Sequence, residues 1–108
     1  MKQHCWQFLE LQADVLRAVA HPFRLAILQA LAEDELCVAD IVDRVGGQRS
    51  NLSRHLAVMT RAGILGVRRD GVKMMYRLMV PCIVQFLACV KVVVASRIEE
   101  EVAAIPKL

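Results

Sequence analysis

Residues 46 to 65, from Gly46 to Leu65, read GGQRSNLSRHLAVMTRAGIL, and the predicted architecture of the chain follows from this segment. Leu52, Leu56 and Met59 recur in it at three- and four-residue spacing, which places them on one face of a helix. The first turns of that helix carry side chains of the kinds that contact base edges and phosphates. These side chains are Gln48, Arg49, Ser50, Asn51, Ser53, Arg54 and His55. An amphipathic helix whose polar face only meets water would show the same pattern, so the segment alone leaves both interpretations open.

The sequence on either side of this segment predicts a helix-turn-helix with a wing. Residues 38–45 predict a short helix, and Gly46-Gly47 interrupts the helical pattern before the polar helix begins. Beyond it, residues 64–69 and 72–79 are extended runs, with Asp70-Gly71 between them as a two-residue hairpin signal. Three basic residues cluster around the predicted hairpin tip: Arg68, Arg69 and Lys73. We therefore predict a recognition helix followed by a β-hairpin wing.

Basic residues are concentrated in the same central part of the chain. From Arg44 to Arg77 there are eight basic residues and one acidic residue, whereas the remainder of the chain holds six basic and ten acidic residues. The formal net charge of the whole chain is only +3. A positive centre between acidic ends favours a face that binds a polyanion. A solvated charged surface is the alternative.

Apolar residues dominate the helices predicted at the two ends of the chain. Residues 6–19 and 22–32 predict two N-terminal helices, and residues 80–104 predict a last helix with apolar residues on nearly every side. The chain has 108 residues and is 56% hydrophobic, more than a domain of this size can hide in its interior. We expect a mainly α fold with a small β-hairpin: a single winged helix-turn-helix domain over residues 1–108, with five helices plus the wing. We also expect a homodimer formed by the first and last helices.

The sequence predicts neither a secretion signal nor a membrane span. Charged and amide side chains interrupt the first apolar positions, unlike the apolar region of a signal peptide. The most apolar run, residues 80–96, contains Gln85 and Lys91 and is shorter than the about 20 residues that a bilayer span needs. We therefore expect a cytoplasmic protein with no membrane partner.

Four cysteines, at positions 5, 37, 82 and 89, offer candidate sites for an effector. None of their spacings is the C-x-x-C of a zinc site or a thioredoxin motif, and cytosolic cysteines are normally reduced. Cys82 and Cys89 share a helix face but stand about 10.5 Å apart along the axis, too far for one metal centre to bind both. Each could instead join Cys37 of its own or of a partner chain, or all could be core residues. Thiolates suit soft ions such as arsenite, cadmium or lead, and they also form disulfide or polysulfide bridges.

Four motifs along the chain carry a family resemblance. They are Ala18-Val19-Ala20-His21-Pro22-Phe23-Arg24-Leu25-Ala26-Ile27-Leu28, Glu35-Leu36-Cys37-Val38-Ala39-Asp40-Ile41, Asn51-Leu52-Ser53-Arg54-His55-Leu56 and Ala62-Gly63-Ile64-Leu65. With these motifs the chain resembles the ArsR/SmtB family of bacterial repressors over residues 15–90. The resemblance implies a homodimeric winged-helix repressor that leaves DNA when an effector binds. Effectors in that family include arsenite, cadmium, lead, zinc and reactive sulfur species.

The chain matches the effector motifs of that family only in part. Arsenic sensors of the family often carry Cys-Val-Cys-Asp on the third helix; here Cys37 matches the first cysteine, but Ala39 stands at the second. Zinc sensors of the family place Asp and His ligands on the last helix, which here contains no histidine. The resemblance therefore leaves Cys37 with Cys82 or Cys89 as candidate ligands.

We predict a DNA-binding transcriptional repressor and not an enzyme, because the chain shows neither a partner set for a nucleophilic cysteine nor a Gly-rich phosphate loop. Two copies would bind an inverted repeat in double-stranded DNA through the recognition helix and the wing. No constitutive cofactor is expected. The predicted inducer is arsenite or another thiophilic metal or metalloid bound by Cys37 together with Cys82 or Cys89, and the alternative is a redox- or persulfide-sensing repressor.

Overall fold

The structure, a computed structural model, describes the backbone of residues 3–104 and the side chains of residues 5–104. Its elements are α1 (Gln3–Val19), α2 (Pro22–Leu31), β1 (Leu36–Cys37), α3 (Val38–Val45), α4 (Arg49–Arg61), β2 (Leu65–Asp70), β3 (Lys73–Leu78) and α5 (Cys82–Ala104). The strands form one antiparallel sheet in the order β1-β3-β2. The predicted mainly α fold with a β-hairpin wing is therefore confirmed.

The hydrophobic core lies beneath α4. Leu52, Leu56 and Met59 are each 0% exposed, which confirms that the four- and three-residue spacing marks the buried face of this helix. They pack in one cluster with Ile27 of α2 and Ile41 of α3, both also fully buried. Burial of an aliphatic side chain of this size contributes roughly 1.5–3 kcal/mol, so these contacts hold α4 firmly against its neighbours. The opposite face of α4 is consequently free to carry polar side chains.

The junction between α1 and α2 is closed by a histidine cap. His21 has extended backbone geometry, and its Nδ1 accepts a hydrogen bond from the backbone N–H of Phe23 at 3.1 Å. Pro22 takes the first helical position, where its missing N–H leaves no hydrogen bond unmade. The His-Pro pair therefore determines where α2 begins and directs Arg24, two residues later, toward α4.

Strand β1 was not predicted from the sequence. Leu36 pairs with Tyr76 and Cys37 with Met75, so this two-residue strand adds to the wing along β3. A two-residue strand is too short to show the alternation that marks strands in sequence. Its formation depends on a partner strand that lies far along the chain, so only the folded chain reveals it.

The turn of the wing lies one residue later than predicted. Asp70 pairs with Lys73, so the two loop residues are Gly71 and Val72 and not Asp70 and Gly71. Gly71 has a φ of +63°, whereas no residue other than glycine has positive φ in the described part of the chain. A positive φ at the first loop position alone is the pattern of a type II′ turn, so the position of the glycine, more than that of the aspartate, sets the register.

Helices α1 and α5 expose long apolar faces. In the described structure α5 has no buried residue, although Ile83 and Leu87 pack against the core. Trp6, Phe8 and Leu11 of α1 are all more than half exposed. On α5 the large exposed residues are Val84, Phe86, Val90, Val92, Val93, Val94, Ile98 and Val102. Between residues 3 and 104, no helix combines the length and hydropathy that crossing a bilayer requires.

Candidate nucleic-acid interface

The exposed face of α4 presents most of the predicted polar side chains together. The exposed members are Gln48, Arg49, Ser50, Ser53 and Arg54, and Asn51 is half-buried beside them. Arg54 Nη2 donates to Asn51 Oδ1 at 3.2 Å, which holds both side chains over the first turns of the helix. The Ser53 hydroxyl donates to the Arg49 carbonyl oxygen at 3.0 Å, so its oxygen is left to accept. This face combines charged donors with groups that can both donate and accept, as base edges and phosphates require.

His55 does not belong to this exposed face. Its side chain is only 9% exposed, and its Nδ1 accepts a hydrogen bond from Nε of Arg24 at 3.0 Å. Its ring lies 4.6 Å from the ring of His21 and 5.0 Å from that of Phe23, measured between centroids. We therefore correct the prediction of His55 as a DNA contact. It is next to Arg54 in sequence, but the helical rotation between the two positions turns it inward.

The surroundings of His55 disfavour its protonated form. Burial lowers the pKa of this imidazole, and the neighbouring His21, Arg24 and Arg54 lower it further through their positive charge. A neutral imidazole keeps Nδ1 able to accept from Arg24, whereas an imidazolium has only donors. His55 is therefore a packing residue that positions Arg24 beside the recognition helix.

The wing adds basic side chains next to α4. Arg69, Lys73 and Arg77 are exposed on the two paired strands. Arg68 is about half exposed, and its guanidinium forms an ion pair with the carboxylate of Glu35, just before β1. Of the three wing cations predicted to contact DNA, Arg68 is thus already paired within the chain, while Arg69 and Lys73 have no ion-pair partner among the described residues.

A cleft of about 300 Å³ brings the recognition helix, the wing and a cysteine together. Arg49 enters it from the start of α4, Lys73 from β3, and Cys37 from the junction of β1 and α3. The remaining lining comes from Val38, Ala39, Val72 and Met74. Cys37 therefore lines the same cleft as two basic residues that lie on different elements of the predicted DNA surface.

The cysteines lie in two different environments. Cys37 is 6% exposed, and its Sγ donates to Oδ2 of Asp40 at 3.2 Å. Cys5 on α1 and Cys82 and Cys89 on α5 are exposed, and none of the four forms a disulfide. Within residues 3–104, no three His, Cys, Asp or Glu side chains are grouped so that they could hold a metal ion. The predicted thiol site is therefore not assembled within one copy of the described chain.

Two residues with a part in this surface were not singled out from the sequence. Arg24 lies in the quoted His-Pro-Phe-Arg motif, but its position beside α4 requires the packing of α2 on that helix. Glu35 neutralises Arg68, and nothing in their separation along the chain indicates the contact. Both follow from tertiary contacts between segments more than 30 residues apart.

The fold and its basic surface define a winged helix-turn-helix domain of the DNA-binding type. Residues 21–66 match the family described as bacterial regulatory protein, arsR family. Over 100 residues the chain is 37% identical to the HTH-type transcriptional regulator Rv0081 of Mycobacterium tuberculosis, covering 92% of this chain and 88% of that protein. The crystal structure of M. tuberculosis Rv0081 matches with a TM-score of 0.75 at 36% identity, covering 88% of this chain and 96% of that one.

Two further relatives agree with this assignment. A solution structure from Mycobacterium bovis, described as the homodimeric winged helix-turn-helix DNA-binding domain of Mb0332, matches with a TM-score of 0.77 at 28% identity and covers 93% of each chain. The HTH-type transcriptional repressor SmtB of M. tuberculosis is 35% identical over 72 residues, which span 67% of this chain and 53% of that protein. The chain therefore belongs to the arsR family of bacterial regulatory proteins. It is a transcriptional regulator and not an enzyme, as predicted.

Proposed function

We propose that this regulator is a dimeric repressor that binds an inverted-repeat operator and leaves it when an effector reacts with its cysteines. The observation that carries the proposal is the cleft that is lined by Cys37, by Arg49 of the recognition helix and by Lys73 of the wing. The thiol of Cys37 thus lines the same cleft as residues of α4 and of the wing, the two elements proposed to contact DNA. As a bacterial DNA-binding protein it would act in the cytoplasm.

The proposed DNA contacts divide into base reading and backbone binding. The N-terminal half of α4 enters the major groove, where Gln48, Arg49, Ser50, Asn51, Ser53 and Arg54 meet base edges and phosphates. Arg69 and Lys73 of the wing contact the backbone or the minor groove, and Arg68 joins them to the extent that its pair with Glu35 opens. His55 is not included, because its imidazole is buried and accepts a hydrogen bond from Arg24.

The apolar faces of α1 and α5 support dimerisation. Exposed side chains such as Trp6, Phe8, Phe86 and Val93 form more apolar surface than a small soluble monomer normally leaves in water. The Mb0332 domain, similar over 93% of its length, is described as homodimeric. A two-fold dimer presents two recognition helices in opposite senses, so the proposed operator is an inverted repeat.

Cys37 is the proposed point at which the effector acts. Its backbone pairs with Met75 of the wing, and its side chain bonds Asp40 in the first turn of α3. A bulky or charged group added to Sγ must enter the cleft or break the Asp40 contact. Either change shifts the wing relative to α4. Because the wing and α4 must contact the DNA at the same time, this shift weakens DNA binding.

The effector we propose first is a thiophilic metal or metalloid, with arsenite foremost. Because one described chain assembles no three-ligand cluster around Cys37, such a site requires thiols from a second copy. Cys82 and Cys89 are exposed on α5, the helix proposed for the dimer interface, and could supply them. The residues present in one described chain do not by themselves complete the site.

The second candidate effector is a persulfide or another thiol oxidant. It is favoured by the exposure of Cys82 and Cys89, because reaction of accessible thiols needs no preassembled ligand set. A protein thiolate attacks the sulfane sulfur of the persulfide, and the donor leaves as a thiol. This mechanism differs from metal or metalloid binding because it adds a sulfur atom to the protein thiol.

DNA binding is tested by fluorescence anisotropy with a duplex from upstream of the protein's own coding region and a scrambled duplex of equal length. We expect tight binding to the first duplex, and we expect Arg54→Ala to abolish the preference without lowering the melting temperature. Arg17→Ala is the matched control, because Arg17 lies on α1 and is paired with Asp14 at 2.6 Å. Equal binding of both duplexes by the reduced wild-type protein, even at low salt, contradicts the proposed function.

Effector chemistry is tested by adding arsenite, or separately a persulfide donor, to the preformed DNA complex. We expect release of the wild-type protein and no release of Cys37→Ser, whose hydroxyl can keep the bond to Asp40. Cys5→Ser serves as the control substitution. Mass spectrometry under denaturing conditions separates the two candidates, because only the persulfide reaction adds sulfur or a crosslink. Release of Cys37→Ser as readily as wild type removes this residue from the mechanism.

A further inference from the structure

A second cavity lies beside the recognition helix, next to the start of α2. It has a volume of about 470 Å³ and is lined by His21, Arg24, Asn51, Arg54, His55 and Val58. Arginine, histidine and asparagine side chains make up its polar lining, and no acidic residue contributes to it. The cavity therefore offers several N–H donors and a positive potential, the chemistry that an oxyanion requires.

Arg24 is held in place at this cavity without being neutralised. Its Nε donates to Nδ1 of His55 at 3.0 Å, and its Nη1 donates to the carbonyl oxygen of Ala18 at 3.3 Å. A guanidinium has five N–H groups, so these two contacts leave three for another ligand. None of the ion pairs among the described residues involves Arg24. A half-buried, oriented and unneutralised guanidinium is suited to bidentate binding of a phosphate.

The cations around this cavity repel one another when no ligand is bound. Within the described chain, the one side-chain hydrogen bond of Arg54 is the bond it donates to Asn51, which is uncharged. The lowered pKa of His55 has the same origin in part, because the charges of His21, Arg24 and Arg54 add to the effect of burial. An anion in the cavity would relieve this repulsion and would raise the pKa of the His55 imidazole.

We propose that this cavity binds a phosphate of the DNA backbone, so that the start of α2 is a third element of the interface beside α4 and the wing. Arg24 is the main ligand, and Arg54 and His21 assist it. The inference rests on the proposed function, because it requires DNA to be bound against the exposed face of α4. Asn51 and Arg54 belong both to that face and to the cavity, which puts the cavity at its edge.

The first test measures how the affinity for DNA depends on salt in Arg24→Gln. Loss of one phosphate contact lowers the slope of log K against log salt by about 0.9. When salt rises fourfold, the DNA affinity of the variant should therefore fall by a factor about three times smaller than the factor for wild type. The loss should be equal for the operator and for an unrelated duplex, because a phosphate contact carries no sequence information. Arg17→Gln is the control, because Arg17 and Arg24 both line an adjoining cavity but Arg17 is paired with Asp14.

The second test uses the unaltered protein, so it does not depend on the folding of a variant. Histidine labelled with ¹³C is followed by NMR during titration with an unrelated duplex at low salt, and separately with inorganic phosphate. We expect duplex binding to raise the pKa of His55 from its lowered value in the free protein. Unchanged histidine signals at saturating duplex overturn the proposal. Signals that respond to inorganic phosphate but not to the duplex also overturn it, and they identify a free anion as the ligand.

The two tests separate failure of this inference from failure of the proposed function. If Arg24→Gln and wild type show the same salt slope while both prefer the operator, the phosphate site is wrong and the repressor proposal stands. If wild type itself shows no sequence preference and no salt-dependent affinity for duplex DNA, the repressor proposal is wrong and this inference is wrong with it.

Discussion

The ion pair between Arg68 and Glu35 joins the wing to the segment just before β1. Arg68 lies on β2, and Glu35 is followed directly by Leu36 and Cys37, which pair with β3. The hydrogen bond that Arg68 donates to the Glu35 carboxylate, and then the negative charge of that carboxylate, raise the pKa of the Arg68 guanidinium above its ordinary value. The wing is therefore attached on both of its strands to the segment that carries the buried cysteine, and one of its cations is neutralised by that attachment.

Glu35→Gln should strengthen binding to any duplex. The substitution removes the charge that neutralises Arg68, which then becomes available for a backbone phosphate. We expect the slope of log K against log salt to steepen by up to about 1. Glu33→Gln makes the same change in net charge at an exposed position outside the described ion pairs and is the control. An equal effect of both substitutions would show that only net charge matters.

Gly47→Ala should destabilise the protein more than Gly46→Ala. Both glycines have φ near +85°, a conformation that L side chains rarely adopt, so both substitutions are strained. A Cβ at Gly46 meets nothing within 4 Å, whereas at Gly47 it lies 3.2 Å from the ring of Phe23, which packs against the core and His55. We expect urea unfolding at matched protein concentration to show a larger loss of free energy for Gly47→Ala. Equal losses would mean that Phe23 adjusts without strain.

The stability of the fold should decrease as the pH falls from 7 toward 5, in part because of His55. Its pKa is lowered in the folded protein, so the unfolded chain, with a histidine pKa of about 6.5, binds the proton first. This contribution is fully present above pH 6.5 and is lost as the pH falls through the folded-state pKa. We expect the urea midpoint of His55→Gln to decrease less than that of wild type between pH 7.5 and pH 5.5. Parallel decreases would assign the pH dependence to other groups.

Val93→Glu should disrupt the proposed dimer and leave the domain folded. Val93 is 59% exposed on α5, so a carboxylate there is tolerated in water but not in an apolar interface. Sedimentation velocity should show a monomer, with helical content unchanged by circular dichroism. Val72→Glu introduces the same side chain at the wing tip, where Val72 is 97% exposed. This control protein should still sediment as a dimer. A dimeric Val93→Glu protein would place the interface elsewhere.

Local patterns were sufficient to predict the elements of the helix-turn-helix. The bounds of α3 agree with the prediction at both ends, and the spacing of Leu52, Leu56 and Met59 identified the buried face of α4. The start of α2 at Pro22 was also predicted. These features depend on periodicity and on residues that begin or break a helix, and such signals act within one or two turns of chain.

Features that depend on contacts between distant segments could not be predicted in this way. Strand β1 exists because Leu36 and Cys37 meet β3, and the hairpin register depends on which residue adopts positive φ, although Asp70-Gly71 is itself a common turn pair. His55 carries a polar side chain on a polar stretch, yet it is buried because Phe23, His21 and Arg24 of the preceding segment surround it.

The sequence was enough to establish the class of fold, the polar face of α4 and the basic centre of the chain, because all three are periodic or compositional. Tertiary structure alone decided which basic side chains are free to meet DNA. Arg68 is paired, His55 is buried, and Arg24 is brought to the edge of the recognition helix. The physical reason is that the electrostatic role of a charge depends on its nearest neighbours in space, and here those neighbours lie more than 30 residues away along the chain.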